Sequence, residues 1–394
     1  MHPIKILHVA PTFFPATYYG GPIFSTHALC NALAGMPGVS LRVITSDAAG
    51  PHARLPITKS PVIYPAGYPV YFSPRIGRGD VSPRMIARLW SMIGWADAVH
   101  LTGVYSVPTL PTLAIARLRG KPVLWSPRGA LLASQNWGAA PRSRAKIWWE
   151  AACAALMPKR TMLHLTSAGE HAASTARMPG AASVVIPNGA DIPASLPPRE
   201  WMPGGVMRLM FIGRLHPVKA LDHLFDALRL SLGGAVQLDI YGDGDQAYAD
   251  ELRRLSADIP GQVRFHGHVD GAEKARAFAS ADVCILPSHT ENFSMSIAEA
   301  LAHGVPVIVS KGAPWAEVEP RGCGLWVSNT PASLAAAITA MRGYDLAAMG
   351  SRGRAWMIES FGWDALAEQT LAAIHGLLAG LPQGTPSRMG AAVP

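Results

Sequence analysis

Cysteine is scarce, with four in 394 residues. Cys30, Cys153, Cys284 and Cys323 lie far apart, form no C-x-x-C pair and have no histidine at zinc-ligand spacing. That excludes a disulfide framework and a zinc ribbon, and the thiols are expected to be reduced and structural. Charge is also sparse, at 15% of residues against 49% hydrophobic, which excludes disorder along most of the chain. No apolar run reaches the roughly eighteen residues of a spanning helix. The opening Met1-His-Pro-Ile-Lys-Ile-Leu-His-Val-Ala10 lacks the basic, apolar and small-residue order of a signal peptide. The expected location is cytoplasmic, with room for peripheral contact on the inner face of the cytoplasmic membrane. The loop after the first apolar run is not G-x-G-x-x-G, so hydride transfer loses its usual support.

What is present is a rhythm. Ile4–Val9, Leu41–Thr45, Ala98–Leu101, Pro122–Trp125, Met162–Leu165 and Ser183–Ile186 read as buried parallel strands, with amphipathic stretches between them. Turn formers then crowd from Pro187-Asn-Gly189 to Pro203-Gly-Gly205, and the rhythm restarts with Leu209–Ile212, Val236–Ile240, Val263–Phe265, Val283–Leu286 and Val305–Val309. The expected fold is α/β, two doubly wound Rossmann-like domains in tandem. Their bounds are read as 1–190 and 206–362, with a linker at 191–205. A last helix at about 363–379 is expected to pack back on the first domain, and 381–394 reads as a flexible tail. Ligands of open α/β sheets bind beyond the carboxyl ends of strands, so a cleft between the domains is the expected site.

The net charge of +8 is unevenly spread. Residues 1–190 carry 18 Lys and Arg against 5 acids, and the remainder 16 against 21. A basic first half suits anionic lipid or nucleic acid. The stretches Arg84–Trp95 and Arg142–Trp149 interleave cations with tryptophan as interfacial helices do, a pattern that tryptophan in the domain core with cations in water would also give. No nucleic-acid reader motif accompanies them, so a nucleic-acid partner is not expected.

Three stretches carry chemistry. In Ser288-His-Thr-Glu-Asn-Phe-Ser-Met-Ser-Ile-Ala-Glu299 a strand ends and a helix is expected to begin near Ser294, capped by Asn292 or Ser294. Glu291 then lies just outside a helix start, where free N–H groups and the positive dipole end point. Glu299, eight residues on, is about 12 Å away along a continuous helix. A hydrolase acid pair needs roughly 5 to 9.5 Å, so the two carboxylates suit two parts of one extended ligand. In Gly213-Arg-Leu-His-Pro-Val-Lys219 the chain leaves a strand and is expected to enter a helix near Pro217. Lys219 in its first turn would need an anion, which makes Arg214 and Lys219 a candidate diphosphate clamp. In Pro15-Ala-Thr-Tyr-Tyr-Gly-Gly-Pro22, Gly20 and Gly21 allow close backbone approach and Pro22 suits the first helical position. His8 and His164 fall within apolar strands and read as core residues, whereas His100, at a strand end, is expected to face the cleft. Asp243-Gly-Asp245 imitates a metal-binding D-x-D but reads as turn chemistry, and Asn292-Phe-Ser294 imitates a glycosylation acceptor that a cytosolic chain would not present.

These stretches and their order resemble the retaining, glycogen-synthase-like glycosyltransferases of family four, which have the GT-B fold. The resemblance also includes Ile186-Pro-Asn-Gly189, Gly242-Asp-Gly244, Phe265-His-Gly267 and Gly304-Val-Pro306. It implies that Arg214 and Lys219 bind the donor diphosphate and that Glu299 holds the ribose hydroxyls. Glu291 and the backbone of Asn292, Phe293 and Ser294 would meet the transferred sugar, and backbone near Val269 the nucleobase. Where many members carry a histidine contacting the sugar, this chain has Ser126-Pro-Arg-Gly129, a form similar to a branch associated with bacterial surface polysaccharides, with Arg128 in the histidine's place. The implied reaction moves a sugar from a nucleoside diphosphate donor to a lipid-linked or glycan acceptor, with no cofactor and no metal requirement. The competing readings are a nucleotide-sugar epimerase or phosphorylase on the same fold, and a catalytically silent nucleotide-sugar-binding partner.

Overall fold

The computed structural model describes residues 2–77, 79–132, 143–230, 235–259 and 262–380. The expected tail at 381–394 lies outside them. The chain divides into two compact units, one of residues up to Gly189 together with the segment from Trp363, the other Ala190–Gly362.

Among the described residues the first unit holds eight strands: β1 (Ile4–Val9), β2 (Val39–Ser46), β3 (Val62–Ile63), β4 (Pro69–Ser73), β5 (Ala98–Thr102), β6 (Val123–Ser126), β7 (Thr161–Leu165) and β8 (Ala182–Val185). They lie in the order β3-β4-β2-β1-β5-β6-β7-β8, and all pairs are parallel except β3 with β4. Alternate residues of β1 serve opposite faces: Leu7 and Val9 enter one core, and Ile6, with Ala10 just past the strand, another. Helices α1 (Gly21–Gly35), α2 (Pro83–Trp95), α3 (Thr109–Leu118), α4 (Arg144–Leu156) and α5 (Ala168–Arg177) supply cover. Ser82, Ser143 and Ser167 cap α2, α4 and α5 by accepting a backbone N–H.

In the second unit β9 (Met207–Ile212), β10 (Val236–Tyr241), β11 (Val263–Gly267), β12 (Val283–Leu286), β13 (Val307–Ser310) and β14 (Gly324–Val327) alternate with α6 (Leu221–Leu230), α7 (Gln246–Leu255), α8 (Gly271–Ser280), α9 (Met295–Ala302), α10 (Pro331–Met341) and α11 (Leu346–Ser360). The parallel order β11-β10-β9-β12-β13-β14 is the six-stranded dinucleotide-fold order, which reverses between β9 and β12. Two such units are the α/β GT-B architecture.

Helix α12 (Trp363–Ala379) belongs to the first unit, where Ile374 and Leu377 join the core beneath β1, β2 and β4. Trp363 lies against Gly189 so closely that any side chain there would meet its ring. Residues 191–205, expected as a linker, are held to the second unit. Arg199 donates to the carbonyls of Phe278, His303 and Gly304, and the Met202 N–H donates to Asp282. Turn composition leaves only a 3-10 turn at Pro203–Gly205, but arginine and carboxylate bonds fix the segment in place.

Candidate functional site

In an open parallel sheet, the loops leaving the carboxyl ends of the strands on either side of an order reversal diverge and leave a crevice. In the second unit those loops follow β9 and β12. After β9, Gly213 is backed by Gly242, where a Cβ would lie 2.0 Å from the Gly213 carbonyl oxygen. This close approach seats the turn against the next loop, and the Gly213 N–H donates to Tyr241 O. Arg214 is exposed. Lys219 sits in a 3-10 turn, Pro217–Lys219, and Ala220 at φ 49° separates that turn from α6. The expected place in the helix's first turn is therefore corrected: Pro217 fixes the turn, and the left-handed residue breaks it from the helix.

After β12 the chain turns through Ser288 and Glu291 into α9. Lys219 Nζ lies 2.5 Å from Glu291 Oε1, so the anion beside this lysine is the motif's first carboxylate. The Ser288 hydroxyl donates to the same oxygen at 2.7 Å, and the Glu291 N–H donates to Gly312 O at 2.8 Å. Phe293 anchors the loop, with its ring packed on Trp315 and Phe361 and its carbonyl accepting the Trp315 indole N–H. Ser294 occupies the cap position of α9 at φ 72°, and its side chain makes no cap bond there. Its hydroxyl lies 3.0 Å from that of Ser296 instead. Of the two expected caps, Asn292 and Ser294, the Ser294 side chain is therefore not one. Helix and motif end as expected, with Gly304 at φ 67° just past α9.

Glu299 stands on α9, 18% exposed, and pairs with Lys274 of α8 at 2.5 Å. Burial pushes its carboxyl up from the usual range, and Lys274 opposes that push. Val269 is half-buried in the loop from β11 to α8, beyond the same strand ends. Asp245 of the D-x-D imitation caps α7, accepting from Ala247 and Tyr248. Among the described residues no group of three or more His, Cys, Asp or Glu is placed to hold a metal ion. Of the motif residues, the structure brings Lys219 and Glu291 together, whereas Glu299 stands eight residues on, along α9, and pairs with Lys274. Lys274 escaped the motifs, because its role comes from a pairing between α8 and α9, while Ser288 lies in a motif that assigned it no role, which its bond to Glu291 supplies.

The first unit carries the remaining candidates. Gly20 takes φ 69° as the cap of α1, while Gly21 is its first residue and Pro22 its second. His100 does not face a cleft: it is wholly buried, with Nε2 2.9 Å from Ser126 Oγ and its ring against His8 and His164. Neighbouring strands put all three imidazoles on one inner face, since His8 and His100 are paired in register. His164 is satisfied by Ser126 Oγ and Ile186 O, whereas His8 reaches Thr102 at 3.2 Å. His8 and His164 are each lowered to about 3, by burial first and then by the Arg128 guanidinium. Burial also holds His100 well below the ordinary range. Arg128, at φ 55°, turns inward to donate to Asn188 Oδ1, beside the buried Glu170. In this structure Arg128 therefore supports the Asn188 loop.

Residues 207–342 match the family model described as Glycosyl transferases group 1, so the second unit carries such a domain. The chain is 37% identical over 169 residues to a GDP-mannose-dependent alpha-mannosyltransferase of Mycobacterium tuberculosis, covering 41% of this chain and 42% of that protein. It is 34% identical over 218 residues to the protein of the same description from Mycolicibacterium smegmatis, covering 50% and 56%. The chain thus spans about half the length of the curated relatives it matches. Its fold matches that of Anabaena HepE in complex with UDP, with TM-score 0.72 and 17% identity over 95% of this chain and all of that one.

Proposed function

We propose that this chain, whose second unit is a glycosyltransferase group 1 domain, moves a hexose from a UDP- or GDP-linked donor to a lipid-linked or glycan acceptor, with retention at the anomeric carbon. The observation that carries this reading is the meeting of Lys219 and Glu291 beside the start of α9, at the strand-order reversal of the second sheet. That is where a nucleoside diphosphate sits in an open parallel sheet. The GDP-mannose relatives and the UDP complex of the fold neighbour support a nucleotide-sugar donor. The Ser-Pro-Arg-Gly form favours an acceptor from bacterial surface polysaccharide synthesis.

In the proposed reaction the bond from the anomeric carbon to the diphosphate oxygen breaks as the acceptor oxygen bonds on the same face. The acceptor proton passes to the departing phosphate. Arg214, Lys219 and the N–H groups of α9 stabilise the negative charge that grows on the leaving group, so the reading includes no metal requirement. When diphosphate takes Lys219, Glu291 is released from its ion pair to accept sugar hydroxyls. Glu299 accepts the ribose hydroxyls, and backbone at Val269 borders the base. A panel of UDP- and GDP-sugars, scored for binding and hydrolysis, tests this. At least one donor should bind, and Lys219→Ala should weaken it by tenfold or more, about the strength of one charge-assisted contact. Absence of any binding, or indifference to that substitution, removes the donor-site reading.

The acceptor side of the reading includes contact with anionic membrane through the first unit. Helix α3 packs between α2 and α4. The outer face of this layer exposes Trp90 at 51%, Leu118 at 75% and Trp148 at 76%. Residues 83–160 hold eleven Lys and Arg against two acids. Neither acid belongs to that outer face, because Asp97 accepts the Lys5 N–H and Glu150 is buried. A lipid-linked acceptor would be met at such a surface.

A further inference from the structure

We infer that Lys274 is a positioning residue of the donor site, aiming the Glu299 side chain and keeping it a carboxylate so that it accepts both ribose hydroxyls. The inference rests on the donor-site reading above and adds a residue that no motif marks. Lys274 lies three and four residues before Ala277 and Phe278, which α8 buries. It therefore stands on the inward face of its helix, where an unpaired ammonium would be costly. Its Nζ reaches across to Glu299 Oε1 on α9 at 2.5 Å, and Oε2 takes no hydrogen bond from the described residues.

The groups around Glu299 leave Lys274 as its counter-ion. Asp191 faces it with like charge, and Cys284 of β12 lies beneath as a thiol that burial and Glu299 push up to about 12. His303, one turn along α9, bonds the Glu299 carbonyl and is lowered by burial. Arg199 and Arg354 are spent on the carbonyls of Gly304 and Ala302. Burial and Asp191 both favour the protonated acid. A protonated acid would offer a donor where a ribose diol needs two acceptors.

The test titrates UDP and GDP against the wild type, Lys274→Met and Lys274→Arg from pH 6 to pH 8.5, with inorganic pyrophosphate as a ribose-free probe. Lys274→Met should bind the preferred nucleotide about tenfold more weakly, with the loss largest at the acid end of the range, where Glu299 without its counter-ion most favours the protonated acid. Lys274→Arg should stay within about twofold, keeping the charge-assisted bond. All three should hold pyrophosphate alike, which reports an intact fold and diphosphate subsite. Equal nucleotide affinity of wild type and Lys274→Met at every pH, or a loss of the same size at every pH, overturns the inference and leaves the donor site standing. A wild type that binds neither nucleotide removes both.

Discussion

Lys219 and Glu291 are each other's counter-ions in this structure, and both are only slightly exposed. A diphosphate arriving at Lys219 must displace a carboxylate already at 2.5 Å, so part of its electrostatic gain is spent on breaking that pair. Glu291→Gln separates the two roles, because the amide keeps the shape and loses the charge. Nucleoside diphosphate affinity should hold or tighten once the competing anion is gone. Turnover should fall about a hundredfold, as when one transition-state contact is lost. Calorimetric titration beside turnover measurements decides it, and a parallel loss of affinity and turnover would count against the displacement. The charges at this site were legible as residue types at a spacing, but the pairing of Lys219 with Glu291 was not, since it spans 72 residues. The same limit hid Lys274, and it misplaced His100, whose burial depends on strands far away in sequence.

At the scale of elements, the long apolar strands were readable because burial on both faces leaves near-continuous hydrophobic runs, as in Ile4–Val9 and Val283–Leu286. No such run marks β3, β4 and β14. These are short strands at or near sheet edges, two of them opening on Pro69 and Gly324, and their burial is partial. Strand placement also explains the buried imidazoles of β1, β5 and β7, and it sets an acid limit on the first unit. For His8 and His164 the folded value is about 3 against 6.5, so between those limits the unfolded chain binds more protons. Stability is then complete above about pH 6.5 and falls as pH drops, by up to ~1.4 kcal/mol per pH unit for each histidine. Urea unfolding at pH 7.5, 6 and 5 should show this decline, and His164→Asn should flatten it. Identical slopes in the two proteins would mean that other groups govern acid unfolding.

For the whole molecule, charge is divided as sharply as structure, with the excess of cations confined to the first half of the sequence. No helix among the described residues is long and apolar enough to cross a membrane, and the lipid contact proposed above is assigned to the surface of the first unit. Each cation near an anionic bilayer contributes ~1 kcal/mol, and that attraction fades beyond a Debye length of about 10 Å at 0.1 M salt. The exposed Trp148 and Ile147 of α4, flanked by Arg144 and Lys146, add an apolar contribution that salt does not screen. Sedimentation with phosphatidylcholine vesicles, with and without phosphatidylglycerol, separates these contributions. The chain should bind the anionic vesicles, lose most of that binding in 0.5 M salt, and bind about tenfold more weakly as Trp148→Ser with Ile147→Ser. Equal binding to both vesicle types would assign the interaction to the apolar face alone. Absence of binding to either would leave the basic half to a soluble acceptor.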